Sequence, residues 1–481
     1  MVGSGPNGLA AAIRMVQGGR STLLIEAQGT IGGAARSFPF TLPGFVHDFG
    51  AAILPLGVAS PFFRTLPLCE HGLEWVHPPA SLAHPLDDGS VAMIYDSLEA
   101  TAASLSSDAD AYLRLMEPLA LHWEELTLDL LAPLRPPCHP LLLARFGLRG
   151  LRSARGLASS LFRGQQARAL IAGLGAHSIL PLERPPSAAF ALTLAMLAHG
   201  CGWPFPRGGT QSFTNALTSY FRSLGGEIIT GVTVRSLDDL PPAGAVLCDV
   251  TPRQLLSIAG DRLPRSYSWQ LNRYRYGPGV FKLDYALNGP IPWKITECAR
   301  AGTVHLGGGM EEIAAGERAV WRGETPEKPF VLLAQQSLFD PSRAPAGKHT
   351  AWAYCHVPNG CTFDMTQRIE SQIERFAPGF RDLVLTRHAM GPSQLEQRDA
   401  NLVGGDINGG LQDLWQQYTR PALRLNPYST PVPGLFICSS STPPGGGVHG
   451  MCGYFAAERA LRRTGRPHSW RAAGRPSGSR G

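Results

Sequence analysis

MVGSGPNGLAAAIRMVQGGRSTLLIEAQGTIGGAARS, residues 1–37, is the stretch that decides the fold. Gly3, Gly5 and Gly8 form G-x-G-x-x-G. Gly3 permits a tight turn, Gly5 lets the backbone approach a pyrophosphate, and Gly8 lets a helix pack on a sheet. Pro6 suits a first helical turn, and Asn7 lies beside it. The helix N-terminus offers free N–H groups and a positive dipole end to phosphate. Leu23-Leu24-Ile25 reads as a short buried strand, with Glu26 and Ala27 at its end. The Glu26 carboxylate can accept ribose hydroxyls. Strand, helix, strand and acid in order predict dinucleotide binding.

Six residues beyond the acid come Gly32 and Gly33, then Ala34, Ala35 and Arg36. At this point the chain resembles the flavoprotein superfamily of amine oxidases and phytoene desaturases. The resemblance implies FAD, with the Gly-Gly and Arg segment along its diphosphate and ribityl chain. It also implies an α/β fold in which a Rossmann-like FAD domain is interleaved with a substrate domain of mixed sheet and helices. His47-Asp48-Phe49-Gly50-Ala51 resembles the superfamily's D-x-G-A segment near the flavin.

Such a fold normally opens with a strand of about five residues. Here Met1 and Val2 alone precede Gly3. The sequence predicts either an upstream start or a shortened strand that weakens the central sheet. It also shows no secretory leader.

Length and composition set the frame. A chain of 481 residues with 44% apolar content supports two or three domains and a large core. No run of eighteen apolar residues exists to span a bilayer. The net charge of +6 comes almost wholly from arginine and carries no nucleic-acid motif. The nine cysteines are scattered, without C-x-x-C, which predicts free thiols in a reducing, cytoplasmic setting. Cys355, His356 and Cys361 lack a second ligand pair, so no metal is expected.

Along the chain, 1–70, 200–262 and 396–464 read as the FAD domain. Residues 71–199 and 263–395 read as the substrate domain with a helical segment. The tail 465–481 is rich in Gly, Arg, Ser and Pro and is expected to be disordered. Ser107 to Asp110 reads as a helix cap. Residues 226–234 read as two short strands, and the resemblance implies that Val234 meets adenine through its backbone. Gly279 to Leu287 alternates like a half-buried strand.

The second signal is C-terminal. Gly434 to Cys438 reads as a strand, followed by a polar turn through Ser440 and Gly445-Gly446-Gly447, and a helix opening near Val448. Its dipole would face the pyrimidine end of an isoalloxazine. Further segments, among them residues 277–290 and 401–410, resemble the phytoene-desaturase-related branch called pyridine nucleotide-disulfide oxidoreductase domain-containing protein 2. The cysteine spacing contradicts the chemistry in that branch name. Pro443 and Ser439 stand where the branch commonly has histidine and glycine.

A flavin enzyme asks little of its side chains. Candidate proton-handling residues are His177, Lys282, Asp284 and His356, with His199 and His449 considered for the same role. No second dinucleotide motif is present, so electrons are expected to leave to oxygen, a quinone or another acceptor. The resemblance implies hydride abstraction from an apolar or amine-bearing small molecule. The alternative is a flavin-binding regulatory or interaction protein with little turnover. Residues 141–168 combine arginines 145, 149, 152, 155, 163 and 168 with leucines and phenylalanines and no acid. They predict peripheral contact with an anionic membrane and uptake of a lipid-like substrate.

Overall fold

The computed structural model describes residues 1–463. The expectation for the 465–481 tail lies outside them.

A parallel sheet is built around the first two residues. Leu23–Ile25 pairs with Glu227–Ile229 on one side, and Val246–Cys248 pairs with Leu435–Ile437 on the other. Val2 bridges Ile25 and Cys248 and joins the two pairs. The Val2 N–H donates to the Leu247 carbonyl at 2.9 Å, and its own carbonyl accepts from Asp249 N–H at 2.8 Å. In chain order the strands therefore lie 3-2-1-4-5, the dinucleotide-binding order, with the reversal beside Val2. The shortened strand takes the central place in this sheet through Met1 and Val2.

Two long helices cross over the glycine turn. Pro6–Gln17 packs against Met451–Arg463 through alanine and glycine. A Cβ on Gly453 would lie 1.8 Å from the Asn7 carbonyl oxygen. A Cβ on Gly8 would lie 2.2 Å from the Gly3 carbonyl oxygen. Thr210–Ser223 buries Phe213, Leu217 and Phe221 against the first helix, as its sequence pattern indicates.

The second sheet has seven strands, in the order Val384–Met390, Gly279–Leu287, His349–Val357, Val331–Ala334, Ala301–Leu306, Ala80–Pro85 and Val91–Ile94. All neighbours are antiparallel except Ala301–Leu306 with Ala80–Pro85. One face packs on Thr366–Phe376 through Leu283, Tyr285, Ile369 and Ile373. The other faces a helical layer that includes Gln165–Ala176 and Ser187–Gly200.

Three local expectations change. Gly279–Leu287 is buried at all nine positions rather than half-buried. Its polar positions, Lys282 and Asp284, alternate because they point to the interior site, while Phe281 and Leu283 point to the core. The second strand expected at 232–234 does not form. The chain turns at Gly231 (φ +75°), and Val232 N–H donates to the Glu26 carbonyl across the end of the sheet. Asp108 precedes the helix Ala109–Ala120, but its carboxylate accepts from Arg163 and Gly164 N–H instead of capping it.

The helix crossing gives a direct test. Gly453→Ala should lose about 1–3 kcal/mol from overpacking against the Asn7 backbone. Gly147→Ala, in an exposed helix with open space at its Cβ, should be neutral or gain up to about 1 kcal/mol. Thermal melts of the two variants should therefore move apart.

Candidate functional site

The glycine turn, the acid and the C-terminal segment converge on one cleft. Its first compartment, of about 550 Å³, is lined by Gly3, Ser4, Gly5, Pro6, Asn7, Glu26, Ala27, Gly33, Ala34, Arg36, Val234 and Ser440, and by Asp249, Arg398 and Asp399. A second compartment, of about 450 Å³, shares Pro6, Asn7, Ala34 and Ser440 with the first and adds Gly446, Gly447 and Val448. The two are thus continuous past the N-terminus of the first helix. They lie at the carboxyl ends of the parallel strands, beside the reversal in strand order.

Two expected glycines act behind the wall. Gly8 donates its N–H to Asp249 Oδ2 at 2.8 Å, and Gly32 donates to Ser4 Oγ at 3.1 Å. The wall itself is made by close backbone approach: a Cβ on Gly33 would come within 2.9 Å of Gly5 Cα.

Each polar group is held in place. Glu26 Oε2 accepts from Ser4 N–H at 2.9 Å and Ser4 Oγ–H at 2.6 Å, while Oε1 accepts from Gln28 N–H at 2.8 Å. Arg36 donates to the carbonyls of Gly33 and Arg398, at 2.6 and 2.8 Å, and its guanidinium lies over Phe38 and Phe49. Burial lowers its pKa from the ordinary value. Asn7 lines both compartments, and its Oδ1 is buried without a partner.

Asp249 is a site residue absent from the candidates drawn from the sequence. The signal was available, because ligands sit at the carboxyl ends of parallel strands. Its carboxyl is pushed up to about 7 by burial, partly opposed by the Gly8 N–H and reinforced by Asp399 and Glu26.

The second compartment is apolar. Phe49, Leu56, Phe190, Leu194, Leu332 and Trp352 line it, with Lys282 and His177 among them. Lys282 and Asp284 form a buried ion pair. The ammonium lies 5.4 Å from the centre of the Phe40 ring and 6.0 Å from that of Trp352. Burial lowers the Lys282 pKa despite Asp284. Burial would raise the Asp284 pKa, but Lys282, His388 and His47 outweigh it and hold the carboxyl below its usual value. Trp352 Nε1 is buried without a partner.

The four candidate proton-handling residues separate here. Lys282 and His177 reach the cavity; Asp284 stands behind Lys282. His356 does not reach it: its Nδ1 meets Glu317 Oε1 at 2.8 Å in the helical layer. Strand alternation also turns it away from Cys355, which lies in the opposite core. His199 meets the Tyr112 hydroxyl at 2.8 Å. His449 accepts the Met451 N–H at 3.0 Å and bonds to the Gly445 carbonyl, so it shapes the start of the last helix.

A model of one family, described as flavin containing amine oxidoreductase, matches residues 7–262. The chain belongs to this family. It is 25% identical to pyridine nucleotide-disulfide oxidoreductase domain-containing protein 2 of Rattus norvegicus, covering 96% of this chain and 93% of that protein. It is 23% identical to the lycopene-forming phytoene desaturase of Pseudescherichia vulneris, covering 96% and 98%. Among solved structures, an oxidoreductase from Methanosarcina mazei shares the fold with a TM-score of 0.64, at 17% identity, over 96% of this chain and 99% of that one. Putrescine oxidase bound to putrescine does so with a TM-score of 0.60, at 18% identity, over 97% and 98%. The protein is an FAD-dependent oxidoreductase.

The residues fit that cofactor. The cleft is continuous and narrow at glycines, holds an oriented acid at one end and unpartnered Asn7 Oδ1 midway, and widens into an apolar chamber. Gly5→Val should abolish FAD retention, since the Cβ of Gly5 would already lie 2.8 Å from Asp249 Oδ2. FAD carries an anionic diphosphate, so ionising Asp249 beside it opposes binding. Affinity should fall about three- to tenfold from pH 6 to pH 8. Titration of apoprotein should show this slope, and Asp249→Asn should flatten it.

Proposed function

We propose that the enzyme removes a hydride from a largely apolar or amine-bearing small molecule and passes the electrons to oxygen, a quinone or another acceptor that reaches the flavin directly. One observation carries the reading: the polar, glycine-walled cleft opens directly into an apolar chamber lined by Lys282, whose ammonium is paired with the buried Asp284 behind it. The phytoene desaturase and putrescine oxidase relatives support apolar and amine substrates respectively.

In this reading Glu26 accepts the ribose hydroxyls, and the Val234 backbone meets the adenine. Gly3, Gly5, Pro6 and Asn7 would turn the chain around the diphosphate, with Gly33, Ala34 and Arg36 alongside it and Gly8 and Gly32 bracing the wall from behind. Ser440, Gly446, Gly447 and Val448 border the ring system. FAD, when bound there, supplies the hydride acceptor. Phe49, Leu56 and Trp352 exclude water from the reacting end. Lys282 holds a positive charge in the wall of the apolar chamber, and Asp284 keeps its Nζ in position.

The test is anaerobic bleaching of the flavin by panels of amines, alcohols and apolar polyenes. A flavin that no donor reduces would favour the regulatory alternative. Lys282→Met should slow reduction on the order of 10- to 100-fold and cost about 3–5 kcal/mol of stability by stranding the Asp284 charge. Lys282→Met/Asp284→Asn should regain the stability but not the rate.

We also propose peripheral contact with an anionic bilayer as the route for a lipid-like substrate. Much of the 141–168 segment is turned inward or paired. Phe146, Leu157 and Phe162 are core, Arg152 donates to the Gly156 carbonyl and Ser160, and Arg155 pairs with Glu183 and Glu311. Leu134, Leu141 and Leu148 stand out at 83%, 86% and 79% exposure, with Arg135 and Arg145 exposed among them. Among the described residues no helix is long and apolar enough to cross a membrane. The protein should co-float with anionic vesicles at low salt, and Leu141→Glu/Leu148→Glu should release it.

A further inference from the structure

The apolar chamber has one imidazole in its described lining, that of His177. Two more stand behind it. His177 Nε2 lies 3.1 Å from His305 Nε2. His305 and His84 both abut Gly173: a Cβ there would meet His305 Nδ1 at 2.8 Å and His84 Nδ1 at 3.1 Å. Both of those nitrogens are buried without a partner. Rings of Trp203 and Phe330 pack edge-on against the row, at 6.1 Å from His177 and 5.1 Å from His305 respectively. Unpartnered polar nitrogens in such a core are costly and call for a reason.

The tautomers follow from the acceptors. His84 Nε2 meets the Gly308 carbonyl at 2.8 Å, so Nε2 carries the hydrogen and Nδ1 is a bare lone pair. His305 Nδ1 abuts Gly173 as that bare nitrogen does, and a hydrogen there, beside a lone pair, is favoured over a second bare lone pair. Its Nε2 is then the acceptor toward His177. His177 must donate through Nε2, which leaves His177 Nδ1 bare. Fixing the tautomer of a working histidine through the bond made by its other nitrogen is a general device.

We propose that His177 Nδ1 accepts a hydrogen bond from the substrate, so that the chamber selects an otherwise apolar molecule carrying one hydroxyl or amine N–H donor. This deepens the function proposed above and rests on it. Burial pushes His177 down to about 3, so the ring stays neutral and offers nothing to a carboxylate or phosphate. His177 is an orienting group: it holds the carbon bearing the donor within the chamber that Lys282 also lines.

Two readouts test this on the flavin-loaded protein. The first is the ¹⁵N NMR tautomer of His177, assigned by comparison with His177→Phe. A hydrogen on Nε2 is expected; one on Nδ1 would overturn the inference. The second is binding of benzyl alcohol and of toluene, followed by perturbation of the flavin spectrum. The native protein should prefer benzyl alcohol about fivefold. His177→Phe should lose that preference with toluene binding unchanged, and His177→Gln, whose side-chain carbonyl accepts, should keep part of it. Equal preference in native and His177→Phe protein would refute the role. Failure of every donor to reduce the flavin contradicts the proposed oxidation instead, and leaves both of these readouts to decide the inference.

Discussion

The constraint on which the structure depends is the closeness of the backbone around residues 3–8. Val2 threads between two strands, Gly3 turns with φ +93°, and Gly8 sits against the Gly3 carbonyl. Gly33 then lies on Gly5, and Gly453 on Asn7. Each approach excludes a Cβ, so the turn is held rigidly between the sheet, the second glycine pair and the last helix. That rigidity aims the first helix at one spot and brings residues from both ends of the chain to a single cleft. The electrostatics follow from the same packing. Burying Asp249 against the Gly8 N–H satisfies the helix end but places a titrating carboxyl where an anionic cofactor lies.

The two compartments divide the work by polarity. The nucleotide end offers oriented backbone and a fixed acid. The chamber end is lined mainly by apolar side chains and keeps few polar groups. Those few are expensive, so their arrangement is informative. The lysine is paired, and it is caged by aromatic rings. The histidine row is neutral, and the Gly308 carbonyl fixes the hydrogen of His84 on Nε2.

Much of this was legible from residues because the signals were local. The spacing of Gly3, Gly5 and Gly8, the acid at Glu26 and the strand–turn–helix at 435–463 each describe one turn of chain. They correctly marked the α/β fold and the FAD requirement. What escaped the sequence was decided by partners far away. Asp249 belongs to the site because the turn at Gly8 comes to it. Lys282 and Asp284 were legible as candidate proton-handling residues on an alternating strand but not as a buried ion pair, because a period of two reports alternation and not what lies opposite. His356 could not be told from His177, since strand register and the helix Met310–Trp321, which carries Glu317, determine which imidazole meets the chamber. The 232–234 segment was misread because a glycine turn overrode valine's strand preference.

The central claim is that this cleft holds FAD by shape and hydrogen bonds alone. Its described lining contains no cysteine, and its one histidine is the recessed His177. The most direct measurement is flavin stoichiometry on denaturation. Protein purified without added cofactor should be yellow and should release one FAD per chain into the supernatant when precipitated with acid. Colourless protein that fails to take up FAD, or flavin that stays with the precipitated chain, would contradict the account.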